Sequence, residues 1–334
     1  MIFVTGGTGL VGAHVLLNLS QKKKRFKAFK RESSSLKVCE SIFGYYEAQD
    51  LFSKIEWVDG DINDIPSLQR GMKECDHVLH IAGIVSFDPN DINLVNKVNI
   101  EGTANIINVA IDAGIKKIGY VSSIAALGKH TDKSIIDEEC HFKKTNTESN
   151  YAYSKYYAEQ EVWRASQEGV DVVIINPSVI LGPGDWNKGS SKIFQRIHQG
   201  LKFYTEGTTG YVDVVDVAEI LLILFFSKIK NERFIVNAIN LPIRDCFDKI
   251  AIEFNKPKAT IKVTPILKSL AWRIEYMRSL FTGEKPLLTR ETANSAIKKV
   301  AFSSNKLIKE IDFKFIDIDD TISKYCKWYL KDLD

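Results

Sequence analysis

Tyr151 and Lys155 stand four residues apart in a stretch, Tyr151–Gln167, whose pattern predicts a helix. Side chains at positions i and i+4 share one face of a helix, so both would enter the same site. A tyrosine hydroxyl ordinarily has a pKa of about 10, and a neighbouring ammonium lowers it by favouring the phenolate. The pair therefore predicts a tyrosine that exchanges a proton with a substrate alcohol or carbonyl near neutral pH.

Two serines stand at the end of an apolar stretch that precedes this helix. Ile118–Ser122 predicts a strand, and Ser123 follows it directly. Ligands of parallel α/β sheets bind at the carboxyl ends of the strands, where a hydroxyl can donate a hydrogen bond to a developing oxyanion. We assign that catalytic role to Ser123, and we expect Ser122 to be a structural cap of the strand end.

A glycine-rich turn follows the first predicted strand and opens a helix. Gly6, Gly9 and Gly12 satisfy G-x-x-G-x-x-G, and Gly7 together with the last two satisfies G-x-G-x-x-G. Glycine permits the tight turn and lets backbone N–H groups approach a pyrophosphate at the helix N-terminus. Because the motif lies between a strand and a helix, it predicts a dinucleotide site, with a purely structural turn as the alternative.

Charged residues follow the second predicted strand, where the ribose of the adenosine would lie. A cation there accepts the 2′-phosphate of NADP, whereas a carboxylate binds the 2′-hydroxyl of NAD. Lys30 and Arg31 come first, and the planar guanidinium of Arg31 suits a phosphate. These residues predict NADP. Glu32 keeps NAD open, and two merely solvated cations are the third alternative.

Strand and helix patterns alternate through the first half of the chain. The predicted strands are Ile2–Val4, Phe26–Phe29, Ile55–Val58, Val78–Ile81, Ile118–Ser122 and Val170–Ile175. Helices are predicted from about Val11 to Leu19, near Asp64, from about Asp91 to Asp112 and from Tyr151 to Gln167. Continuous apolar strands of this kind predict an α/β Rossmann fold, a doubly wound parallel sheet with helices on both faces.

The pattern loosens after Pro177, and Gly182-Pro183-Gly184 marks a loop. We expect residues 1–177 to form an NAD(P)-binding Rossmann domain, to which residues 211–238 return as a helix and a strand. Residues 178–210 and 239–334 are expected to form a smaller C-terminal substrate-binding lobe.

Composition excludes several classes of function. The chain of 334 residues carries 45 basic and 42 acidic side chains, a net charge of +3, which does not indicate a nucleic-acid partner. Its five cysteines are scattered and its six histidines form no ligand pattern, so no disulfide framework and no metal site is expected. We expect a cytoplasmic protein without a signal peptide or membrane span, since the longest apolar run, Ile220–Phe226, is short.

Taken together, these motifs resemble the extended short-chain dehydrogenases/reductases, the NAD-dependent epimerase/dehydratase family. The resemblance spans residues 1 to about 220. It is carried by the glycine turn, Gly60-Asp61-Ile62, His80-Ile81-Ala82-Gly83, Ser122-Ser123, Tyr151-x-x-x-Lys155 and Asn176-Pro177-x-x-x-Leu181-Gly182-Pro183.

The resemblance implies roles for individual residues. The catalytic residues would be Ser123, Tyr151 and Lys155, and Lys155 would also hold the nicotinamide ribose. The implied cofactor-binding residues are Gly6, Gly9, Leu10, Gly12, Lys30, Arg31, Asp61, Ile62, Ala82, Gly83, Tyr151, Lys155 and Pro177, of which Asp61 and Ile62 would contact the adenine. Asn99 is either the family's functional asparagine or a buried polar residue of its helix.

Two departures favour the dihydroflavonol-reductase-like branch. Asn176 stands where many sugar epimerases have arginine, and Glu206–Gly210 lacks the arginine that grips a substrate diphosphate. The resemblance thus implies an NADP(H)-dependent oxidoreductase acting on a small carbonyl or alcohol. The alternatives are a nucleotide-sugar epimerase/dehydratase with tightly bound NAD(P), and a non-catalytic NADP-binding regulator.

The substrate itself is not specified by the sequence. Ile84, Val85 and Phe87 are expected to line an apolar site, and the amphipathic segment Ile266–Phe281 is expected to cover it rather than to anchor a membrane. The resemblance also implies a homodimer formed through the Asp91–Asp112 helix and the helix that carries Tyr151.

Overall fold

The computed structural model describes residues 1–128, 135–143, 148–264, 272–273, 278 and 289–333. The strands are, in chain order, β1 Ile2–Thr5, β2 Phe26–Lys30, β3 Trp57–Asp59, β4 His77–His80, β5 Lys117–Val121, β6 Ile135–Ile136, β7 Asp171–Pro177, β8 Val179–Leu181, β9 Phe203–Tyr204, β10 Thr208–Asp213, β11 Glu232–Val236, β12 Ile239–Pro242, β13 Ile261–Lys262 and β14 Ala301–Phe302. Seven of them form one parallel sheet in the order β11-β7-β5-β4-β1-β2-β3.

The α-helices among the described residues are α1 Leu10–Gln21, α2 Lys37–Tyr45, α3 Gln49–Phe52, α4 Ile65–Met72, α5 Ile92–Asn96, α6 Gly102–Asp112, α7 Asn150–Gln167, α8 Lys192–His198, α9 Val214–Phe226, α10 Ile243–Glu253, α11 Arg290–Ser295, α12 Asn305–Ile311 and α13 Ile318–Lys331. Short 3₁₀ turns cover Pro89–Asp91, Ile124–Ala126 and Gly189–Ser191, and Lys97–Glu101 forms a π-helix.

Helices cover both faces of the main sheet. α1 and α9 pack together on one face, and α4, α6 and α7 pack on the other. Every residue of β1 and β5 is buried, which is why these strands read as continuous apolar runs rather than alternating ones. The expected doubly wound α/β fold is confirmed. Its strand order reverses between β1 and β4, and the carboxyl ends of these strands form the crevice at which such folds bind ligands.

A smaller sheet, β12-β10-β8, packs with α8, α10 and α13 around a separate apolar core.

Two features differ from the expected division of the chain. Residues 211–213 belong to β10 of this small sheet, so the return to the Rossmann layer begins with α9 at Val214. Leu307 of α12 packs into the core of the main sheet, although it lies late in the segment expected to form the second lobe.

Two predicted elements differ from the observed ones. The pattern over Asp91–Asp112 predicts one helix, whereas the structure has a 3₁₀ turn, α5, the π-helix and α6 in succession. The third strand is Trp57–Asp59 rather than Ile55–Val58, and α2 and α3, which the pattern did not indicate, lie before it.

Asp213 is the N-cap residue of α9 and has a structural role. The Asp213 carboxylate caps the helix at the Val215 N–H and accepts hydrogen bonds from the Thr321 and Tyr325 hydroxyls.

Within the part of the chain that the structure describes, no helix is both long and apolar enough to cross a membrane. The segment Ile266–Phe281 lies almost wholly outside the described residues.

Candidate active site

The glycine turn after β1 forms a cradle at the N-terminus of α1. Gly6 has a φ of +75°, and a Cβ there would lie 2.5 Å from the Ala82 nitrogen. A Cβ at Gly12 would lie 2.0 Å from the Gly6 carbonyl oxygen. Both glycines are therefore required by the protein's own backbone packing.

Gly9 is different, because a Cβ there would meet only the Gly6 carbonyl oxygen, at 3.5 Å. Gly9 is the N-cap of α1 and offers no side chain to the helix N–H groups. Space at this residue beside unpaired helix N–H groups fits a pyrophosphate. The turn thus fits the nicotinamide dinucleotide that the sequence implied, with Gly9 facing the ligand.

We expect Gly9→Ala to weaken binding of the nicotinamide cofactor by at least about tenfold, because the added methyl group enters space that a pyrophosphate needs. Its melting temperature should stay close to that of the wild type, since the protein leaves room for this Cβ. Fluorescence titration and thermal unfolding measure the two effects. Gly12→Ala is the matched comparison and should lose stability as well, whereas full cofactor affinity in Gly9→Ala would contradict the assignment.

Leu10, Pro177 and Gly83 were also expected near the cofactor. Leu10 packs against Gly182, where a Cβ would lie 2.9 Å from Leu10 Cδ1. Pro177 ends β7 and is buried. Gly83 follows β4, and a Cβ there would lie 3.8 Å from Lys155 Nζ. The loop at Ala82 and Gly83 therefore lies between the glycine turn and Lys155.

A cleft of about 590 Å³ opens beyond β2 and β3 and is lined by Arg31, Glu32, Ser33, Asp59, Gly60 and Asp61. Arg31 is exposed at this cleft. Lys30 instead forms an ion pair with Asp59, its partner across the parallel strands. The sequence named both Lys30 and Arg31 and preferred Arg31 for a phosphate because of its planar guanidinium. Of these two cations only Arg31 lines the cleft, while Lys30 already has a carboxylate partner.

Asp61 lines this cleft, and Ile62 follows it in the chain. Asp61 accepts hydrogen bonds from both the backbone and the side chain of Asn63, which fixes its carboxylate. Ile62 packs on Gly102 of α6, where a Cβ would lie 2.5 Å from the isoleucine Cδ1. Sequence reasoning missed Asp59, whose place beside Lys30 depends on the register between β2 and β3.

Ser123 and Tyr151 meet at the carboxyl edge of the sheet. Ser123 caps the 3₁₀ turn after β5, where its Oγ accepts a hydrogen bond from the Ala125 N–H. The Ser123 hydroxyl also lies close enough to the Tyr151 hydroxyl to lower its pKa. Ser122 points elsewhere, since its hydroxyl donates to the buried carboxylate of Glu159 at 2.6 Å. The structure thus brings Ser123, and not Ser122, to the tyrosine.

Burial raises the pKa of the Tyr151 phenol, and the hydrogen bond with Ser123 opposes this only in part. The sequence predicted the opposite direction, on the argument that Lys155 would stabilise the phenolate. That prediction is wrong for this structure because desolvation outweighs any stabilisation of the charged form. The phenol is therefore protonated at neutral pH.

Lys155 is buried one helical turn further along α7. Its ammonium donates hydrogen bonds to the Tyr120 hydroxyl and to the Val121 carbonyl oxygen, each at 2.9 Å. Burial lowers the pKa of Lys155 to about 8, while the negative charge of Glu159 opposes this shift.

A buried carboxylate supports this arrangement from behind. Glu159 accepts hydrogen bonds from Ser122 and, at 2.9 Å, from the Asn176 side chain, and it forms an ion pair with Arg233 of β11 at 3.1 Å. Asn176 also donates to the Ser123 carbonyl oxygen. Sequence reasoning missed Glu159, although its position four residues after Lys155 places it on the same helix face.

Asn99 lies in the π-helix and joins α7 to the loop after β4. Its side chain exchanges hydrogen bonds with the Ile84 backbone at 2.8 and 2.9 Å and donates to the Ser154 hydroxyl at 2.9 Å. Single-turn π-helices occur frequently at functional sites. This loop also carries Phe87, whose ring centroid lies 5.5 Å from that of Tyr151. Asn99 therefore holds an apolar wall beside the tyrosine.

Comparison with known proteins gives consistent results. The model of the NAD dependent epimerase/dehydratase family matches residues 2–237. A putative dihydroflavonol 4-reductase from Synechocystis sp. is 27% identical over 98% of this chain and 94% of its own length. Cinnamoyl-CoA reductase 1 from Petunia hybrida is 29% identical over 70% of this chain and 72% of its own length.

The fold recurs in a crystal structure of UDP-glucose 4-epimerase with UDP-glucose from Thermotoga maritima. The TM-score is 0.78, with 18% identity, and the match covers 100% of this chain and 99% of the epimerase. At this level of identity the likeness concerns the fold alone.

Proposed function

This chain belongs to the NAD-dependent epimerase/dehydratase family of extended short-chain dehydrogenases/reductases, and within that family we propose that it is an NADP(H)-dependent carbonyl reductase. The same site would oxidise the corresponding secondary alcohol. The proposal rests on one observation, the close approach of Ser123 to the partly buried phenol of Tyr151, one helical turn from the ammonium of Lys155.

Each residue has a part in the proposed reaction. When bound, the nicotinamide cofactor supplies the hydride for reduction and accepts it in oxidation. The Tyr151 hydroxyl donates its proton to the carbonyl oxygen as negative charge develops there. Ser123 donates a hydrogen bond to the same oxygen. Lys155 stabilises the phenolate that remains.

The surroundings of Tyr151 support a substrate with an apolar body. Phe87 packs edge-on against the tyrosine ring, and Val85 on the same loop is 59% exposed at its surface. The reductases among the relatives carry names that refer to aromatic substrates. We propose an aromatic or aliphatic ketone or aldehyde rather than a nucleotide sugar.

The test measures NADPH oxidation by the purified protein with a panel of aromatic and aliphatic carbonyl compounds. A reductase exchanges its cofactor at each turnover, so NADPH loss should equal alcohol formed. An epimerase regenerates its bound cofactor, so interconversion of UDP-sugars without NADPH loss would replace the proposal with that alternative. Binding of NADPH without turnover on either panel would indicate a regulator.

We propose NADP over NAD because Arg31 lines the cleft beyond β2. Arg31→Ala should weaken NADPH binding at least about tenfold, since a hydrogen bond to a charged group contributes about 1.5–3 kcal/mol, while NADH binding should change little. Lys30→Ala is the matched control and should have the smaller effect, because Lys30 is paired with Asp59. Fluorescence titration with both cofactors measures this, and equal losses for NADPH and NADH would contradict the assignment.

A further inference from the structure

A chain of buried hydrogen bonds leads away from Lys155 beneath the cofactor crevice. The lysine ammonium donates to the Tyr120 hydroxyl, and the Tyr120 hydroxyl lies close enough to the Thr103 side chain for Thr103 to lower its pKa. Thr103 Oγ1 lies 2.9 Å from His80 Nε2, and His80 Nδ1 lies 2.8 Å from Thr5 Oγ1. All five side chains are buried, so solvent cannot satisfy any of these groups.

The donors and acceptors fix the direction of this chain. Thr5 Oγ1 accepts from the backbone N–H groups of Ile81 and Ala82, so its own hydroxyl proton is available to His80 Nδ1. Burial lowers the pKa of His80 to about 3. The imidazole is thus neutral, and with Nδ1 as acceptor its single proton lies on Nε2 and is donated to Thr103.

Thr103 has no further proton to give to Tyr120. Its hydroxyl donates to the Asn99 carbonyl oxygen at 2.6 Å. Its oxygen accepts from His80 and keeps a second lone pair that can accept from Tyr120. Because an ammonium only donates, the phenol oxygen presents a lone pair to Lys155, and the Tyr120 proton can turn toward Thr103.

We propose that Tyr120 is a positioning residue that keeps Lys155 charged and aimed at the cofactor crevice. Tyr120 and Val121 of β5 accept two of the three ammonium protons, which leaves one for the crevice side, where Gly83 leaves space. A charged lysine stripped of one acceptor in a buried site loses its proton more readily. The inference rests on the proposed function, in which Lys155 acts as a cation.

Other charged and titratable groups around Lys155 limit how far Tyr120 alone can change the lysine's pKa. Glu159 and Tyr151 lie on the same helix, and only Glu159 favours the charged lysine. Tyr120 and His80 face it from β5 and β4, and the positive charge of Lys155 itself disfavours protonation of His80. Because Glu159 remains in place when Tyr120 is altered, a change in Lys155 titration reports on the phenol.

The test is the pH profile of carbonyl reduction by Tyr120→Phe, in which Lys155 loses one acceptor and no other buried donor is left unpaired. In the wild type, activity should fall on the basic side as Lys155 loses its proton, near about pH 8. In Tyr120→Phe this limb should move to lower pH by about one unit or more, because a hydrogen bond to a charged group has been removed. The variant should recover most of its activity at about pH 6.

A matched pair at Thr103 tests whether the chain sets the direction of the Tyr120 hydroxyl. Thr103→Val removes the hydroxyl without changing the shape of the side chain. It should move the basic limb of the pH–activity profile to lower pH by less than Tyr120→Phe does. Thr103→Ser keeps the hydroxyl and should retain the wild-type profile. Thermal unfolding and NADPH titration establish that each variant is folded and binds cofactor.

The outcomes separate this inference from the proposed function. A fall in activity of Tyr120→Phe by the same factor at every pH, or an unchanged profile, overturns the role of Tyr120. If Lys155→Met and Tyr151→Phe retain full activity, the proposed function fails instead. In a Lys155→Met background, Tyr120→Phe should cause no further loss of activity, because the group it positions is absent.

Discussion

Tyr151→Phe lowers kcat for carbonyl reduction by about 10²–10⁴-fold, the loss expected when a general acid is removed, and leaves the fold and cofactor affinity intact. The change deletes one hydroxyl from a side chain that is only partly buried, and the phenylalanine keeps the edge-on contact with Phe87. Steady-state kinetics, NADPH titration and thermal unfolding measure the three quantities.

Tyr157→Phe is the matched control for this variant. Tyr157 lies on the same helix but is 42% exposed, so loss of its hydroxyl should leave kcat near the wild-type value. Ser123→Ala should fall between the two, with a loss of about 10²–10³-fold typical of a removed oxyanion donor. A fully active Tyr151→Phe, or a crippled Tyr157→Phe, would show that the assumed helix face is not the catalytic one.

The sequence predicted the main layer of the fold because its signals are local. Strands buried on both faces produce mainly apolar runs, and β1 and β5 are buried along their whole length. The glycine turn was predictable for the same reason, since its backbone geometry allows few other residues. The Ser123, Tyr151 and Lys155 candidates followed from their position relative to these elements.

The π-helix at Lys97–Glu101 was not predictable from periodicity. An apolar repeat reports which face of a helix is buried, but it does not report which carbonyl each N–H contacts. The different environments of Lys30 and Arg31 could not be predicted either. Lys30 is paired with Asp59 only because β2 and β3 align in one particular register, which is a tertiary property.

The direction of the Tyr151 pKa shift is a more instructive failure. Spacing places Lys155 near the phenol, but the cost of burying the phenolate depends on packing by Phe87 and α7, which spacing does not specify. Tyr120 was within reach of sequence reasoning, because it lies two residues before Ser122 in a strand and so shares its face. Its bond to Lys155 required the packing of α7 on β5.

Lys155→Met reduces kcat at least as much as Tyr151→Phe, because both the stabilisation of the phenolate and the proposed contact to the nicotinamide ribose are lost. NADPH affinity should fall together with kcat, which distinguishes this variant from Tyr151→Phe. Kinetics and fluorescence titration on the same preparation measure both. An unchanged affinity for NADPH would remove the ribose contact from the proposal.

The same substitution should stabilise the folded protein at neutral pH. Burial lowers the pKa of Lys155 from 10.5 to about 8, which corresponds to a cost of about 3 kcal/mol for keeping the ammonium in the folded state, at about 1.4 kcal/mol per unit. Methionine has a similar shape and no charge to bury, although it leaves Tyr120 and the Val121 carbonyl without a donor. We therefore expect a net gain smaller than that cost.

The pH dependence identifies the cause of this gain. Between about pH 8 and 10.5 the folded wild type has lost the Lys155 proton while the unfolded chain still holds it, so the unfolding free energy of the wild type rises with pH. The advantage of Lys155→Met should be largest below about pH 8 and shrink above it. Denaturant unfolding of both proteins across this range measures it, with Lys54→Met at a 71% exposed side chain as the control. If Lys155→Met were less stable than the wild type by the same amount at every pH, the buried ammonium would stabilise the fold. Burial of Lys155 would then not be a loss of stability that is tolerated for the sake of catalysis.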